Sequence, residues 1–248
     1  MSATQPQVST DAPLLVNVVD APAKKPPSSL LLRVGVFGVL VSAPTLLGLI
    51  VHGIQVTHGM SLGWAQFGLH PVLMTVAFGF LMPLSALSYR GMERLLGVSH
   101  AAAKAAHATL MLGAILCATL GFADMYIVHQ SKKGSGWHFT SVHSYVGMMV
   151  YVASLVQFLS GLGIFYVPAS PPWLRRAWLP AHVALGCFSL FGGLAAVALG
   201  ILSFDYEHGL PPAAYKTAEQ LEFKTAGLFC CFVGGFLAMV FAAPKATQ

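Results

Sequence analysis

Six apolar runs, at about residues 30–53, 68–89, 104–128, 140–166, 178–203 and 223–243, leave this chain one solvent to fold in. Each comes near the roughly 20 residues that an α-helix needs to cross a hydrocarbon layer. Inside hydrocarbon a single segment can pair its own backbone N–H and C=O groups only as a helix, so the runs are predicted to be transmembrane helices. Composition agrees. Of 248 residues, 56% are hydrophobic and 8% charged, where a soluble domain carries about 25% charged residues. So little charge cannot cover a water-facing surface. The net charge of +5 is therefore no sign of a nucleic-acid partner; what matters is which loops hold it. The expected fold is an all-α membrane protein of six helices with a four-helix core, helices 2–5.

Residues 1–28 are rich in Pro, Ser, Thr and Ala, carry the pair Lys24-Lys25 and show no periodicity. They predict a disordered cytoplasmic tail, which leaves 29–248 as one six-helix domain. The tail lacks the basic start and apolar core of a cleavable signal, and Asp11 and Asp20 argue against a transit peptide. With the N-terminus inside, the inner segments hold nine basic residues: Lys24, Lys25, Arg33, Arg90, Arg94, Lys104, Arg175, Arg176 and Lys245. The outer loops hold four: Lys132, Lys133, Lys216 and Lys224. That bias places both termini on the cytoplasmic side. Pro44 and Pro83 are expected to kink their helices. Cys117, Cys187, Cys230 and Cys231 all fall in apolar runs, without metal or disulfide spacing, and read as small packing residues.

The chemistry starts with four histidines. His70, His107, His143 and His182 each sit in one of spans 2 to 5, and an imidazole there costs free energy unless something binds it. His70 and His143 follow Trp64 and Trp137 by six residues. Tryptophan favours the membrane interface, so both rings belong at similar depth near the outer side. His107 and His182 begin helices 3 and 5 and belong near the inner side. Two facing imidazoles from different helices of a bundle suit axial ligation of a haem iron. Zinc would need four ligands in one cluster, and these pairs lie most of a membrane apart. Gly147 and Gly186 follow His143 and His182 by four residues, on the same helix face, and leave room for a macrocycle. Two other readings stand beside this one. The four could be polar packing residues bonded to neighbouring carbonyls, or a proton relay of the transporter type. Relays recruit Asp or Glu inside the spans, and the expectation here is that the helix interiors hold essentially none.

His70-Pro71-Val72-Leu73-Met74, the ending Ser88-Tyr89-Arg90, Lys104-Ala105-Ala106-His107, Ser141-Val142-His143-Ser144-Tyr145-Val146-Gly147 and Pro180-Ala181-His182 resemble the cytochrome b561 family. The likeness covers roughly residues 64–205 and looks nearest to the family's tumour-suppressor-like branch. It implies six helices and two b haems that pass electrons from cytosolic ascorbate to a non-cytoplasmic acceptor, either ferric chelate or monodehydroascorbate. Carried over by residue, His70 and His143 match the ligands of the non-cytoplasmic haem, and His107 and His182 those of the cytoplasmic one. Lys104 resembles an ascorbate-binding lysine, and His129 a substrate-binding histidine of the outer loop. Met111 stands where ascorbate-recycling members carry a second histidine, the loop from His129 to His143 is about two residues longer than in those members, and no extra electron-delivering domain is visible.

Ascorbate is a monoanion at neutral pH, so cations should surround its inner site. Lys104, Arg90, Arg175 and Arg176 are the candidates, with His100 able to face the same vestibule. Outside, His129, Lys132, Lys133 and His138 cluster before helix 4, where a water-accessible imidazole could ligate ferric iron or take a proton. The expected setting is an endomembrane such as a lysosome or vesicle, or the plasma membrane; a homodimer is compatible with it. A haem-bearing anchor for a soluble partner, a quinol-linked reductase and a histidine-relay transporter are the competing functions.

Overall fold

Serine side chains cap the starts of three of the helices. The computed structural model describes residues 29–57, 59–131, 139–166, 170–208 and 218–244, all helix or connecting loop. Among the described residues six helices are long and apolar enough to cross a membrane: α1 Leu30–Val56, α2 Leu69–Leu87, α3 His100–Ser131, α4 Val142–Tyr166, α5 Pro172–Phe204 and α6 Glu222–Ala242. Ser29 caps α1, its side chain accepting from Leu32 N–H. Ser141 and Ser144 form a reciprocal capping box at the start of α4.

Two helices start earlier than the apolar runs predict. After α2 the chain turns at Gly97, whose φ of +67° suits a residue without Cβ. Ser99 then caps a new helix through Ala102 N–H, and Ala101–Ala103 extend it before the apolar stretch begins, alanine being the best helix former. Pro172 opens α5 in the same way, as the first helical residue, where a missing N–H costs nothing. His107 and His182 therefore do not begin their helices. They lie about two and nearly three turns inside, deeper in the bundle than the sequence implied.

Pro83 is absorbed rather than left as a simple kink. Its ring crowds the carbonyl four residues earlier, and α2 widens into π-helical turns at Thr75–Leu81 just before it, with a further π-helical turn, Ser88–Met92, directly after α2. The wider turns add residues to α2 relative to a regular helix.

In packing, α1 lies along α6, α4 along α5 and α2 along α3; α1 and α6 also touch α2 and α5. Val39, Ala43 and Leu46 of α1 meet Val233, Leu237 and Val240 of α6 in one fully buried seam. Phe37, Leu116, Val156 and Leu159 point outward, as side chains facing lipid do. Helices α2 to α5 thus enclose the histidines, with α1 and α6 along one flank.

One expectation fails inside α3. Asp124 is a carboxylate about two turns from the end of α3, with 0% of its surface exposed. Its Oδ1 accepts the Ala65 N–H at 2.7 Å, where Ala65 holds a left-handed φ of 59°. A loop that folds back against a membrane helix must have its N–H groups met from within the protein, and Asp124 supplies the acceptor.

Candidate functional site

The four histidines gather as two pairs. His70 on α2 faces His143 on α4 with ring centres 6.1 Å apart and planes at 88°. His107 on α3 faces His182 on α5 at 6.5 Å and 67°. Two imidazoles on opposite sides of one metal, each bonded at about 2 Å, have ring centres roughly 6.3 Å apart. Both pairs have that spacing. Among the described residues no three His, Cys, Asp or Glu side chains come together. A pair of nitrogen donors suits a metal whose remaining positions are filled by a macrocycle.

Hydrogen bonds fix which nitrogen faces the gap. His70 donates from Nδ1 to the Gly121 carbonyl at 2.9 Å, and His143 donates from Nδ1 to the Ala196 carbonyl at 2.9 Å. His107 donates from Nδ1 to the Ser85 carbonyl at 3.0 Å, with Ser85 Oγ 2.9 Å from the same nitrogen. A bonded Nδ1–H leaves the Nε2 lone pair free for a metal, the usual arrangement of an orienting partner behind a ligating histidine.

The intervals along the helices repeat. Gly121 follows His107 by fourteen residues, and Ala196 follows His182 by fourteen. At 1.5 Å per residue, the two pairs are therefore separated by about 21 Å along the helix axes. On α4 and α5 a second interval appears. Gly161 lies eighteen residues after His143, and a Cβ there would come within 2.9 Å of the His182 ring. Gly200 lies eighteen residues after His182, and a Cβ there would come within 3.0 Å of the His143 ring. Each helix thus offers one ligand and one notch for the ligand opposite. Gly147 has nothing within 4 Å of a built Cβ and opens onto a cavity against His70 and His143, which Phe122, Tyr151 and His129 also line.

Residues 69–206, more than half of the chain, match the sequence model of the eukaryotic cytochrome b561 family. The chain belongs to that family. It is 30% identical over 207 residues to the plasma membrane ascorbate-dependent reductase CYBRD1 of Xenopus laevis, covering 80% of this chain and 71% of that one. It is 32% identical over 157 residues to the transmembrane reductase CYB561D2 of Mus musculus, covering 63% and 70%. Against the lysosomal membrane ascorbate-dependent ferrireductase CYB561A3 of Bos taurus it is 28% identical over 172 residues, covering 68% and 64%. Such similar values do not separate the family's branches. A cytochrome b561 binds haem b, and the spacing, tautomers and glycine notches described above fit that group.

Around the His107–His182 pair, called inner after the orientation expected from the basic residues, this cytochrome b561 adds aromatic neighbours to the residues named from the sequence. Tyr89 stacks at a tilt on His107, ring centres 5.0 Å apart, and lies 5.7 Å from His100. Burial first, and the Glu93 carboxylate second, hold its phenol above the ordinary value, so it stays a neutral O–H. His100 is exposed, its Nδ1 2.6 Å from Glu93 Oε1. Phe165 packs on His182 at 4.9 Å, and next to it Tyr166 carries the Lys104 ammonium 5.6 Å above its ring. Lys104 is therefore held at the inner end of α4, one turn from His107. Arg175 is half-buried and Arg176 exposed, both in the first turn of α5. Arg90 lies in the π-helical turn after α2, and its side chain is not described. At the other end of the bundle His129 lines the cavity beside His70 and His143, whereas Lys132, Lys133 and His138 lie outside the described residues, as does the tail 1–28. Lys104 was signalled by its charge three residues before His107 and by the family resemblance, and His129 by that resemblance. Tyr89 was legible only as a member of the Ser88-Tyr89-Arg90 ending, and Phe165 and Tyr166 carried no signal beyond being aromatic near a helix end.

Proposed function

We propose that this cytochrome b561 moves electrons across its membrane, from cytosolic ascorbate at the inner face to ferric chelate or monodehydroascorbate at the outer face. Two b haems are held, one by His107 and His182 and one by His70 and His143. The observation that carries this reading is the pair of imidazole gaps, each at the span of a hexacoordinate metal, stacked about 21 Å apart along one helix frame. As a cytochrome b561 the chain is a multi-pass transmembrane oxidoreductase, and relatives carry the names ascorbate-dependent reductase and ferrireductase.

Haem b, when bound, supplies the one-electron chemistry, and the protein sets its position and surroundings. The residues of the chain have three tasks. The helix carbonyls of Gly121, Ala196 and Ser85 keep three of the imidazoles in the tautomer that presents Nε2. Lys104, with Arg175 and Arg176 at the start of α5, gives the inner vestibule the positive charge that draws in a monoanion. Arg90 is a further candidate there. On the outer side His129, at the mouth of the cavity, offers an imidazole to a ferric chelate or a proton to an incoming radical anion; Lys132 and His138 belong to the same proposed surface. The termini are taken to be cytoplasmic, with residues 29–248 as the haem-bearing domain and 1–28 as its tail.

Sealed vesicles of one orientation test the reading. Ascorbate on the inner side should reduce ferric chelate on the outer side, with no mixing of the two pools and with b-type absorption bands appearing first. Reduction that needs ascorbate on the outer side would reverse the assigned direction. A dithionite-reduced spectrum without b-type bands would remove the haem assignment altogether.

A further inference from the structure

Three of the four histidines rest their Nδ1 on a backbone carbonyl of a neighbouring helix. His182 does not: its Nδ1 is buried and has no hydrogen-bond partner. On α3 and α5 the residue fourteen after the histidine is the one that anchors a ligand from the opposite pair. The same interval on α4, counted from His143, lands on Gln157. This residue is the one that reaches His182. Its Nε2 donates to the His182 carbonyl at 2.8 Å, and its Oε1 is buried with no partner.

A buried N–H without an acceptor and a buried amide oxygen without a donor are each costly. Here they sit on two residues already in contact. The bond to the His182 carbonyl also settles which end of the amide is oxygen, since only nitrogen can donate there. The amide fits because position 186 is glycine; a Cβ at Gly186 would stand 2.9 Å from Nε2. At the outer pair the matching place on α5 belongs to Ala196, whose carbonyl does the anchoring unaided.

We propose that Gln157 is the positioning residue of the inner pair, its amide clamping His182 with Nε2 on the carbonyl and Oε1 accepting the Nδ1–H. The proposal rests on His182 being an axial ligand. An acceptor behind a ligating imidazole raises its basicity and favours the more oxidised metal. Three ligands receive that acceptor from backbone, which substitution cannot remove. The fourth receives it from a side chain, so the potential of the inner haem can be altered by a change at Gln157 that leaves the helix frame alone.

The test uses the purified, haem-loaded full chain and potentiometric titration of both haems. Gln157→Met, close in volume and without a polar head, should raise the midpoint potential of the inner haem and leave that of the outer haem where it was. Ser154→Ala, which truncates a buried hydroxyl bonded only within its own helix, should move neither. The clamp is overturned if Gln157→Met keeps both haems with the inner potential unmoved, or moves both potentials equally. Should Gln157→Met fail to hold its inner haem, the diamagnetic ferrous form of the unaltered protein decides by proton NMR. A His182 Nδ1–H resonating with those of His70, His107 and His143 supports the clamp; one lying upfield of all three overturns it. His182→Ala, measured alongside, separates the two ideas. If it loses the inner haem while Gln157→Met shows no shift, the clamp alone fails; if it keeps both haems, the ligand assignment fails and the clamp with it.

Discussion

At the outer end both imidazoles are tied to carbonyls of buried residues, Gly121 and Ala196, and the space between them opens into a cavity beside Gly147. At the inner end one imidazole is tied to Ser85, the other has an unmet Nδ1, and aromatic rings crowd both: Tyr89 on His107 and Phe165 on His182. The frame is shared, since the fourteen- and eighteen-residue intervals run through both ends of α4 and α5. Backbone anchors make the outer pair resistant to most substitutions of its surroundings. At the inner pair the Ser85 carbonyl is a backbone anchor too, so only His182, through the proposed Gln157 clamp, is open to adjustment by a side chain; Lys104, half-buried, and Arg176, exposed, lie at the same end.

The sharpest way to break this comparison is to fill the notches. Gly200→Leu should push the His143 ring aside and leave one haem per chain, the inner one. Gly161→Leu should do the reverse. Haem content and the spectrum of the surviving haem check both, and equal loss of both haems in either variant would contradict a division into two ends. Gly147→Val is subtler. A Cβ there touches nothing in the protein itself, so the helices should stay folded by circular dichroism while the outer haem is lost or weakened. Unchanged haem binding would mean that the cavity is not where the macrocycle lies.

Stability separates the ends as well. Asp124→Ala leaves the Ala65 N–H without its acceptor beside His70 and should cost about 1–3 kcal/mol, read as a lower Tm with the outer haem released first. Asp124→Asn, which keeps an acceptor oxygen, should cost less. The smallest effect belongs to the inner vestibule. Lys104→Ala removes one charge near the surface, worth about 1 kcal/mol or roughly a fivefold rise in KM for ascorbate. Haem content should not change, and the difference should shrink as salt is added.

Much of the frame was legible in the sequence because hydrocarbon imposes a simple rule. Long apolar runs must be helices, and a histidine within one must be bound, so the six spans and the four histidines could be read directly. Helix starts were not legible to the same degree. Ala101–Ala103 and Pro172 continue helices beyond the apolar stretch, where hydropathy says nothing and propensity decides. Asp124 was visible as a residue in an apolar run, yet its partner is a loop N–H 59 residues away, a contact no local pattern encodes. Gly161, Gly200 and Gln157 are of the same kind. Glycine is common in membrane helices, and the eighteen-residue interval acquires meaning only once α4 and α5 are seen to pack against each other. Lys132 and His138 were legible as a cluster, but they lie outside the described residues.

The central claim is that two independent haem sites are divided between the histidines as 70 with 143 and 107 with 182. Haem stoichiometry by pyridine haemochrome, measured on the purified chain and its single histidine variants, tests it most directly. Two haems per chain are expected in the unaltered protein and one in each of His143→Ala and His182→Ala, with different reduced spectra in the two. A single haem in the unaltered protein, or the same residual spectrum in both variants, would contradict it.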